Sequence, residues 1–514
     1  VCSLVFTPER KTVRTFSFVK QNELVCVLVD LIVKIGAIVL VSFAVASHAS
    51  TRATTQVTPR LIVLSDIGNE PDDAESMVRL LVYSNDIEIE GLVAATSRHL
   101  PSSVHPELIE QRVTAYGQSL ANLRKHDPRY PDAEQLRRRI RSGSSVYGMS
   151  GVGKGKDTSA SRLIVEAVDR ADPRPVWIAV WGGAADLAQA LWTVRDTRSA
   201  KEVERFVSKL RVYSISDQDD AGPWSRAYFP NLFWVTSVHG FTRYVLGTWL
   251  GISAPQPGAD SEPVSKEWLS ANIRSKGPLG ALYPPPAYIM EGDTPSFLNL
   301  IPNGLSSTER PDWGGWGGRY DKVSNALGLW ASTVDSVRGN DGEMYLTPQA
   351  TIWRWRSAFQ NDFAARMAWT VTPEFKAANH APRVMLNGRD DMAPIEIDGC
   401  PGTAIALSAS GSNDPDGDAL SFRWWSYREA SGLFAPDVKL SADAGEETSM
   451  TIGDTARTDQ FVPPESYKLH VVLEVRDEGS PQLTRYRRAI ISVAGAGFGN
   501  AAETCQVKPI PPSH

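Results

Sequence analysis

The chain has 514 residues, too many for one ordinary domain of roughly 100–250 residues, so two or three units are expected. Its apolar content of 42% and charged content of 22% are those of a globular protein. The formal net charge of −6 is spread without long runs of one sign, which argues against a nucleic-acid polymer as partner, because such binding calls for a basic stripe. In chain order, the first feature is Ile35 to Ala46, a short apolar run after Lys34 that ends in Ser47-His48-Ala49. This reads as the core and cleavage site of a targeting segment over 1–49, too short for a comfortable membrane span. The remaining protein is expected to be exported, periplasmic or extracellular in a bacterium, with no membrane span.

From Arg60 the pattern is α/β. Leu61 to Leu64 is an apolar run suited to a buried parallel strand, and Ala74, Met77, Val78 and Leu81 follow at helical spacing. Ile87 to Thr96 completes a βαβ unit. Helices are expected after Pro106 and over Leu187–Trp192, and strands over Pro175–Val180, Leu210–Ile215 and Leu232–Thr236. Strands alternating with helices predict a mostly parallel sheet covered on both faces, over 58–375. Between about 255 and 350 the chain is rich in Pro, Gly and Trp, and long ordered loops of this kind are usually functional. Gln360 to Thr370 returns to a helical pattern.

After Pro382 the character becomes all-β. Short stretches at Ala404–Ser408, Ala419–Trp425, Tyr467–Val475 and Ala489–Val493 are separated by turn signals such as Asn413-Asp-Pro-Asp-Gly-Asp418. This predicts an immunoglobulin-like sandwich over 380–496 and a tail over 497–514. Cys400 and Cys505 bracket the region, and in an oxidising compartment they are expected to form a disulfide, with two free thiols as the alternative.

The chemistry concentrates where the first strand ends. Ser65-Asp-Ile-Gly-Asn-Glu-Pro-Asp-Asp73 places Asp66, Glu70, Asp72 and Asp73 at the carboxyl end of a parallel strand, where ligands bind in such sheets. Carboxylates this close repel one another unless a cation neutralises them, and oxygen ligands at this density suit Ca²⁺ or Mg²⁺ rather than zinc. The alternative is helix capping by Asp72 or Asp73, which leaves Asp66 unexplained.

Asp66-Ile-Gly followed by Asp72-Asp73-Ala74 resembles the amino-terminal calcium motif of inosine-uridine nucleoside hydrolases. The resemblance implies Asp66 and Asp73 as Ca²⁺ ligands and Asp72 as the base that activates water. It also implies a late Asp ligand, for which Asp293 is chosen and Asp362 is the fallback. A nearer resemblance is to a secreted bacterial family named for a cellulose-binding protein, with a nucleoside-hydrolase-like domain followed by an immunoglobulin-like one. Asn69-Glu-Pro-Asp-Asp73, Ile89-Glu-Gly-Leu-Val93, Trp181-Gly-Gly183, Ser216-Asp-Gln-Asp-Asp220, Met290 to Phe297 and Trp316-Gly-Gly-Arg-Tyr320 carry it. Two extra residues stand between Gly68 and Asp72 relative to nucleoside hydrolases, and Ala184-Ala-Asp186 replaces the expected Ala-Asn-Thr; the turn there gives the family's Ca²⁺ a backbone carbonyl.

Substrate contacts are assigned to Asn69 and Glu70 in the insertion, to Asp217, Asp219 and Trp224 after a strand, and to Trp313, Trp316 and Arg319 as a stacking lid. Packing of the tryptophans in the core is the alternative. The expected activity is Ca²⁺-dependent hydrolysis of an N- or O-glycosidic bond in a sugar-containing small molecule or a plant cell-wall glycan. The second reading is a non-catalytic protein that binds cellulose or a related glycan. Gly148 to Gly155 nearly spells a phosphate loop but ends in Gly where Ser or Thr is needed, and it reads as a glycine loop. His99, His105 and His239 lack ligand spacing and read as surface or capping residues. Asn413 to Asp418 reads as a polar turn rather than a second calcium site.

Overall fold

A computed structural model describes residues 57–432, 435–453 and 466–494. The expected targeting segment over 1–49, the tail over 497–514 and Cys505 lie outside the described residues.

Six parallel strands open the fold: β1 (Arg60–Ser65), β2 (Glu88–Ala94), β3 (Ile140–Ser142), β4 (Val176–Val180), β5 (Leu210–Ser214) and β6 (Phe233–Thr236). They join β7 (Tyr320–Lys322) and β8 (Leu329–Ser332) in an eight-stranded sheet of order β3-β2-β1-β4-β5-β6-β8-β7. Every pairing is parallel except β7 with β8.

Side chains alternate across a strand, so β1 feeds two cores at once. Leu61 and Val63 pack on one face, and Ile62 and Leu64 on the other. The seven described helices of eight residues or more divide accordingly. Helices α1 (Asp72–Val82), α2 (Pro106–His126) and α7 (Arg356–Trp369) cover the first face. Helices α3 (Ser159–Asp169), α4 (Ala185–Thr197), α5 (Ala200–Ser208) and α6 (Ala221–Tyr228) cover the second. Both faces of the sheet are therefore covered, as the apolar runs require.

The strand order places the site. From β1 the chain steps to β2 and β3 on one side, then returns to β4 on the other side of β1. The sheet reverses its winding direction between β1 and β4, the switch point at whose carboxyl ends sheets of this kind bind ligands. Asp66 follows β1 and Trp181-Gly182-Gly183 follows β4.

The Pro-, Gly- and Trp-rich region carries more regular structure than its composition predicts. It supplies β7 and β8, and the antiparallel pair β9 (Asp335–Arg338) and β10 (Met344–Thr347). These strands are three or four residues long and are held by their neighbours rather than by local propensity.

The C-terminal region has two sheets. One has the order β11-β17-β16-β13, from β11 (Ile395–Gly399), β13 (Leu420–Ser426), β16 (Ser466–Asp477) and β17 (Thr484–Ala494). The other has the order β12-β15-β14, from β12 (Ala404–Ser408), β14 (Val438–Leu440) and β15 (Glu447–Ile452). Ile397, Ile405, Leu407, Trp424, Met450, Leu469 and Ile491 fill the space between them, so this region is a β-sandwich. All pairings are antiparallel except β11 with β17. Cys400 is disulfide-bonded.

The outer face of the larger sheet is not solvated. Val472, Tyr486 and Tyr427 belong to the core of the α/β region, which explains why β16 is buried on both faces. Arg488 donates to the carbonyls of Leu305, Trp313 and Gly314 at 3.0, 2.9 and 3.1 Å. Asp335 accepts from Arg319 Nε at 2.7 Å, Arg354 Nη1 at 2.8 Å and Tyr427 Oη at 2.6 Å. Among the described residues, no helix is long and apolar enough to cross a membrane.

Candidate functional site

Asp72 and Asp73 are the first two residues of α1, and Pro71 is its N-cap with no side-chain cap bond. Neither aspartate therefore caps the helix. Asp73 Oδ1 instead accepts from Ser65 Oγ at 2.5 Å, which turns the carboxylate back toward the end of β1. Asp293 lies in the tight turn before Pro295. One carboxylate oxygen from each of Asp72, Asp73 and Asp293 can be chosen so that all lie within 4.8 Å of one another. Asp66 stands outside that triple but is close enough to raise the pKa of each member.

All four carboxylates are buried, with exposures of 2–7%. Burial is the main reason their pKa values rise, and mutual repulsion adds to it: Asp66, Asp73 and Asp293 shift upward and Asp72 reaches about 7. Among the described residues none of the four has an ion-pair partner, and Asp293 Oδ2 is buried with no hydrogen-bond partner at all. Buried charge without a partner is costly unless a cation supplies the missing term. The donor set, all oxygen and all acidic, fits a hard divalent cation.

Glycine makes room for these groups. A Cβ at Gly182 would lie 2.5 Å from Asp66 Oδ1, and one at Gly292 would lie 2.7 Å from Asp72 Oδ2. At Gly183 it would lie 2.5 Å from both Asp219 Oδ2 and the Thr96 carbonyl. Trp181, fully buried, donates its indole N–H to Ser296 Oγ at 2.8 Å and so anchors the turn beside Asp293.

A second layer joins Asp293 to α1. Glu291, two residues earlier, has a left-handed backbone at φ 52°. Its amide donates to Glu75 Oε2 at 2.8 Å, and its carboxylate accepts from Tyr283 Oη and Thr294 Oγ1, each at 2.8 Å, and from Arg79. Burial and Glu291 push Glu75 up to about 9. Glu75, Arg79 and Glu291 were not legible as site residues: in sequence, Glu75 and Arg79 look like an ordinary i,i+4 surface pair.

The rim is aromatic. His99 Nε2 lies 3.1 Å from Tyr244 Oη, and the Tyr244 ring packs edge-on against His239 and Trp249 at 5.5 and 5.6 Å. Ser216 Oγ lies 2.7 Å from His239 Nε2 and accepts from Trp249 Nε1 at 3.0 Å. Burial, Glu70 and Asp66 push Tyr244 up to about 12, and His99 acts on Asp66 in the opposite sense. His99 and His239 thus stand at the rim rather than as bare surface residues. The signal was available: His99, Ser216 and His239 each follow shortly after a sheet strand, at its carboxyl end. His105 is the N-cap residue of α2 and pairs with Glu107 at 2.9 Å.

The other sequence candidates are placed as follows. Asn69 is exposed and Glu70 half-buried on the loop beside Asp66. Asp217 forms a two-point ion pair with Arg226 at 2.9 and 2.7 Å. Asp219 accepts from the amides of Ala184 and Ala221 at 2.9 and 3.0 Å, and burial raises it to about 7; it braces the turn after β4 against α6. Trp224 packs on the second core, under the Arg195 guanidinium at 5.1 Å. Trp313, Trp316 and Arg319 do not form an open lid. Trp313 packs against His470, Trp316 against Phe359 and Tyr486, and Arg319 against Asp335, all at the contact with the sandwich. Covering that contact removes more apolar surface from water than a solvated lid would. Asp362 is held by Tyr83, Arg366 and Arg485 at 2.7, 3.2 and 2.7 Å, and its pKa falls to about 2, so it stands in an ion network apart from the acidic triple.

Residues 60–320 match the family described as cellulose-binding Sde182, nucleoside hydrolase-like domain, and residues 404–493 match the C-terminal domain of cellulose-binding protein Sde0182. The chain belongs to this family. A solved structure of a nucleoside hydrolase-related protein from Saccharophagus degradans, described as associated with carbohydrate metabolism, is 35% identical. The alignment covers 85% of this chain and 100% of that one, with a TM-score of 0.72. The effectors XOO4466 and XopQ, the latter complexed with adenosine diphosphate ribose, are each 12% identical. Each alignment covers 62% of this chain and 95% of the other, with TM-scores of 0.28 and 0.25. No curated protein matches the chain.

Proposed function

We propose that the chain is an exported, Ca²⁺-dependent hydrolase of glycosidic bonds, acting on an N-glycosyl or related glycosyl compound. The observation that carries this reading is the triple of Asp72, Asp73 and Asp293, buried without an ion-pair partner among the described residues and with Asp293 Oδ2 unpartnered. Asp66, Asp73 and Asp293 would hold the ion. When bound, calcium supplies positive charge against the carboxylates and acidifies water. Asp72 takes the proton of the attacking water as general base. The remaining negative charge stabilises the cationic character that develops at the anomeric carbon in glycosyl transfer. Ser65 and Glu291 keep Asp73 and Asp293 in place, and the rim of His99, Tyr244 and Trp249 is available to the sugar or the leaving group.

The test is release of base or reducing sugar from nucleosides and plant-wall oligosaccharides, with calcium and with a chelator. Asp72→Asn is expected to lower turnover by about 10²–10⁴-fold while the fold is kept. Unchanged turnover would sink the assignment of Asp72.

A second reading is a glycan-binding protein without turnover. The cellulose-binding description of the matched family favours it, and so does the carbohydrate association of the Saccharophagus degradans relative. Retention on insoluble cellulose with no product released would select it. The cellulose-binding description of the family supports a location outside the cell, where wall glycans are met.

A further inference from the structure

A cavity of about 350 Å³ opens between the α/β region and the sandwich. Trp355, at the start of α7, and Trp425 and Tyr486 of the sandwich form its aromatic wall, and Arg423, Glu474 and Arg476 line the polar side. The rings of Trp355 and Trp425 lie 5.9 Å apart, and Arg354 sits 5.0 Å from each. Because Arg354 is itself held by Asp335 at 2.8 Å, the aromatic wall is fixed before any ligand arrives. Trp425 is half-buried, and its indole N–H is shielded from water without a hydrogen-bond partner.

The chemistry narrows the ligand. Glu474 is buried, pairs with Arg476 and has Arg423 Nη1 at 4.0 Å. A phosphate would meet that carboxylate as well as the arginines. A sugar meets no such conflict: its hydroxyls both donate and accept, so they satisfy a carboxylate and guanidinium groups together. Aromatic rings with polar neighbours suit a ligand that is apolar on its ring faces and polar at its edges. The volume is at the small end of ligand cavities, which run from roughly 300 to 1,000 Å³.

We propose that this interdomain cavity is a glycan site separate from the carboxylate cluster, taking a short pyranose segment with Trp425 as its platform. It does not depend on the hydrolytic reading, because no carboxylate of the acidic cluster lines it. Its two walls come from the two regions, so the site exists only where the sandwich packs on the α/β layer.

The test is titration of the full chain with cellohexaose and with trigalacturonate, followed by tryptophan fluorescence and calorimetry. Binding of either oligosaccharide is expected to weaken at least tenfold in Trp425→Ala and about threefold in Arg423→Ala. Arg423 is exposed, so its variant is expected to fold even if the Trp425 variant does not. Preference for trigalacturonate would assign the arginines to a uronate carboxylate; preference for cellohexaose would assign them to hydroxyls. In Asp72→Asn, binding at the cavity is expected to persist whether or not turnover is lost. The proposal is overturned if neither oligosaccharide binds, if Arg423→Ala and a folded Trp425→Ala bind as the parent does, or if Asp72→Asn alone abolishes binding.

Discussion

Two regions of this molecule bury aspartates, and they treat them in opposite ways. At the contact between the α/β layer and the sandwich, Asp335 and Asp362 are surrounded by Arg319, Arg354, Arg366 and Arg485, and both pKa values fall below the usual range. At the carboxyl ends of β1 and β4, Asp66, Asp72, Asp73 and Asp293 are buried together without an ion-pair partner among the described residues, and all shift upward. The residue type and the burial are the same. What differs is whether the chain supplies the compensating cation. Where it does, the carboxylate is structural; where it does not, the proposed function assigns that role to a cation from solution.

Removing a carboxylate should therefore have opposite consequences in the two regions. The largest effect is expected at the interface. Asp335→Ala removes the buried carboxylate shared by Arg319 and Arg354, leaving them only Asp321 at 3.2 Å and Glu429 at 3.9 Å, and should cost about 3–5 kcal/mol in urea denaturation. A loss below 1 kcal/mol would mean that those arginines find other partners.

Asp186 is an intermediate case, buried without a basic partner but held by neutral donors. It accepts from Thr158 Oγ1 at 2.6 Å and from the Ser144 amide at 3.1 Å, and burial raises it from 3.8 to about 6. Between these two values the folded chain holds more of this proton than the unfolded chain. The stabilising preference is complete below about pH 3.8 and is lost as pH rises to about 6, a change of up to about 3 kcal/mol. Asp186→Asn keeps an acceptor and should flatten that part of the stability curve; an unaltered slope would assign it to other groups.

Calcium at a hundredfold excess over its Kd should stabilise the protein by about 2.7 kcal/mol at neutral pH. A chelator should remove this gain, and Asp293→Asn should reduce it. The smallest expected effect is the sign reversal: with chelator present, Asp293→Asn relieves repulsion and should add stability on the order of 1 kcal/mol, read as a higher melting temperature. A lower melting temperature there would show that Asp293 is held by the fold and not merely tolerated.

The sequence alone carried the architecture a long way. The apolar runs of β1, β4, β5 and β6, each followed by helical spacing or glycine, report a parallel sheet because a strand buried on both faces cannot afford polar residues. The alternation in β12 and β13 reports a sandwich for the complementary reason. Asp66, Asp72 and Asp73 were visible because they are consecutive in space at the end of one strand and nearly consecutive in the chain. Asp293 came from a family resemblance, since nothing local to it distinguishes it from Asp362. Only the tertiary structure separated those two, by placing one beside carboxylates and the other beside arginines. It also moved Trp313, Trp316 and Arg319 from an expected lid into the interdomain contact. A Trp-Gly segment has the same composition whether it faces a ligand or another sheet, and which surface meets it depends on packing over distances of more than a hundred residues. The same holds for the aromatic cavity between the regions, whose walls are remote in sequence and meet only when the sandwich closes on the α/β layer.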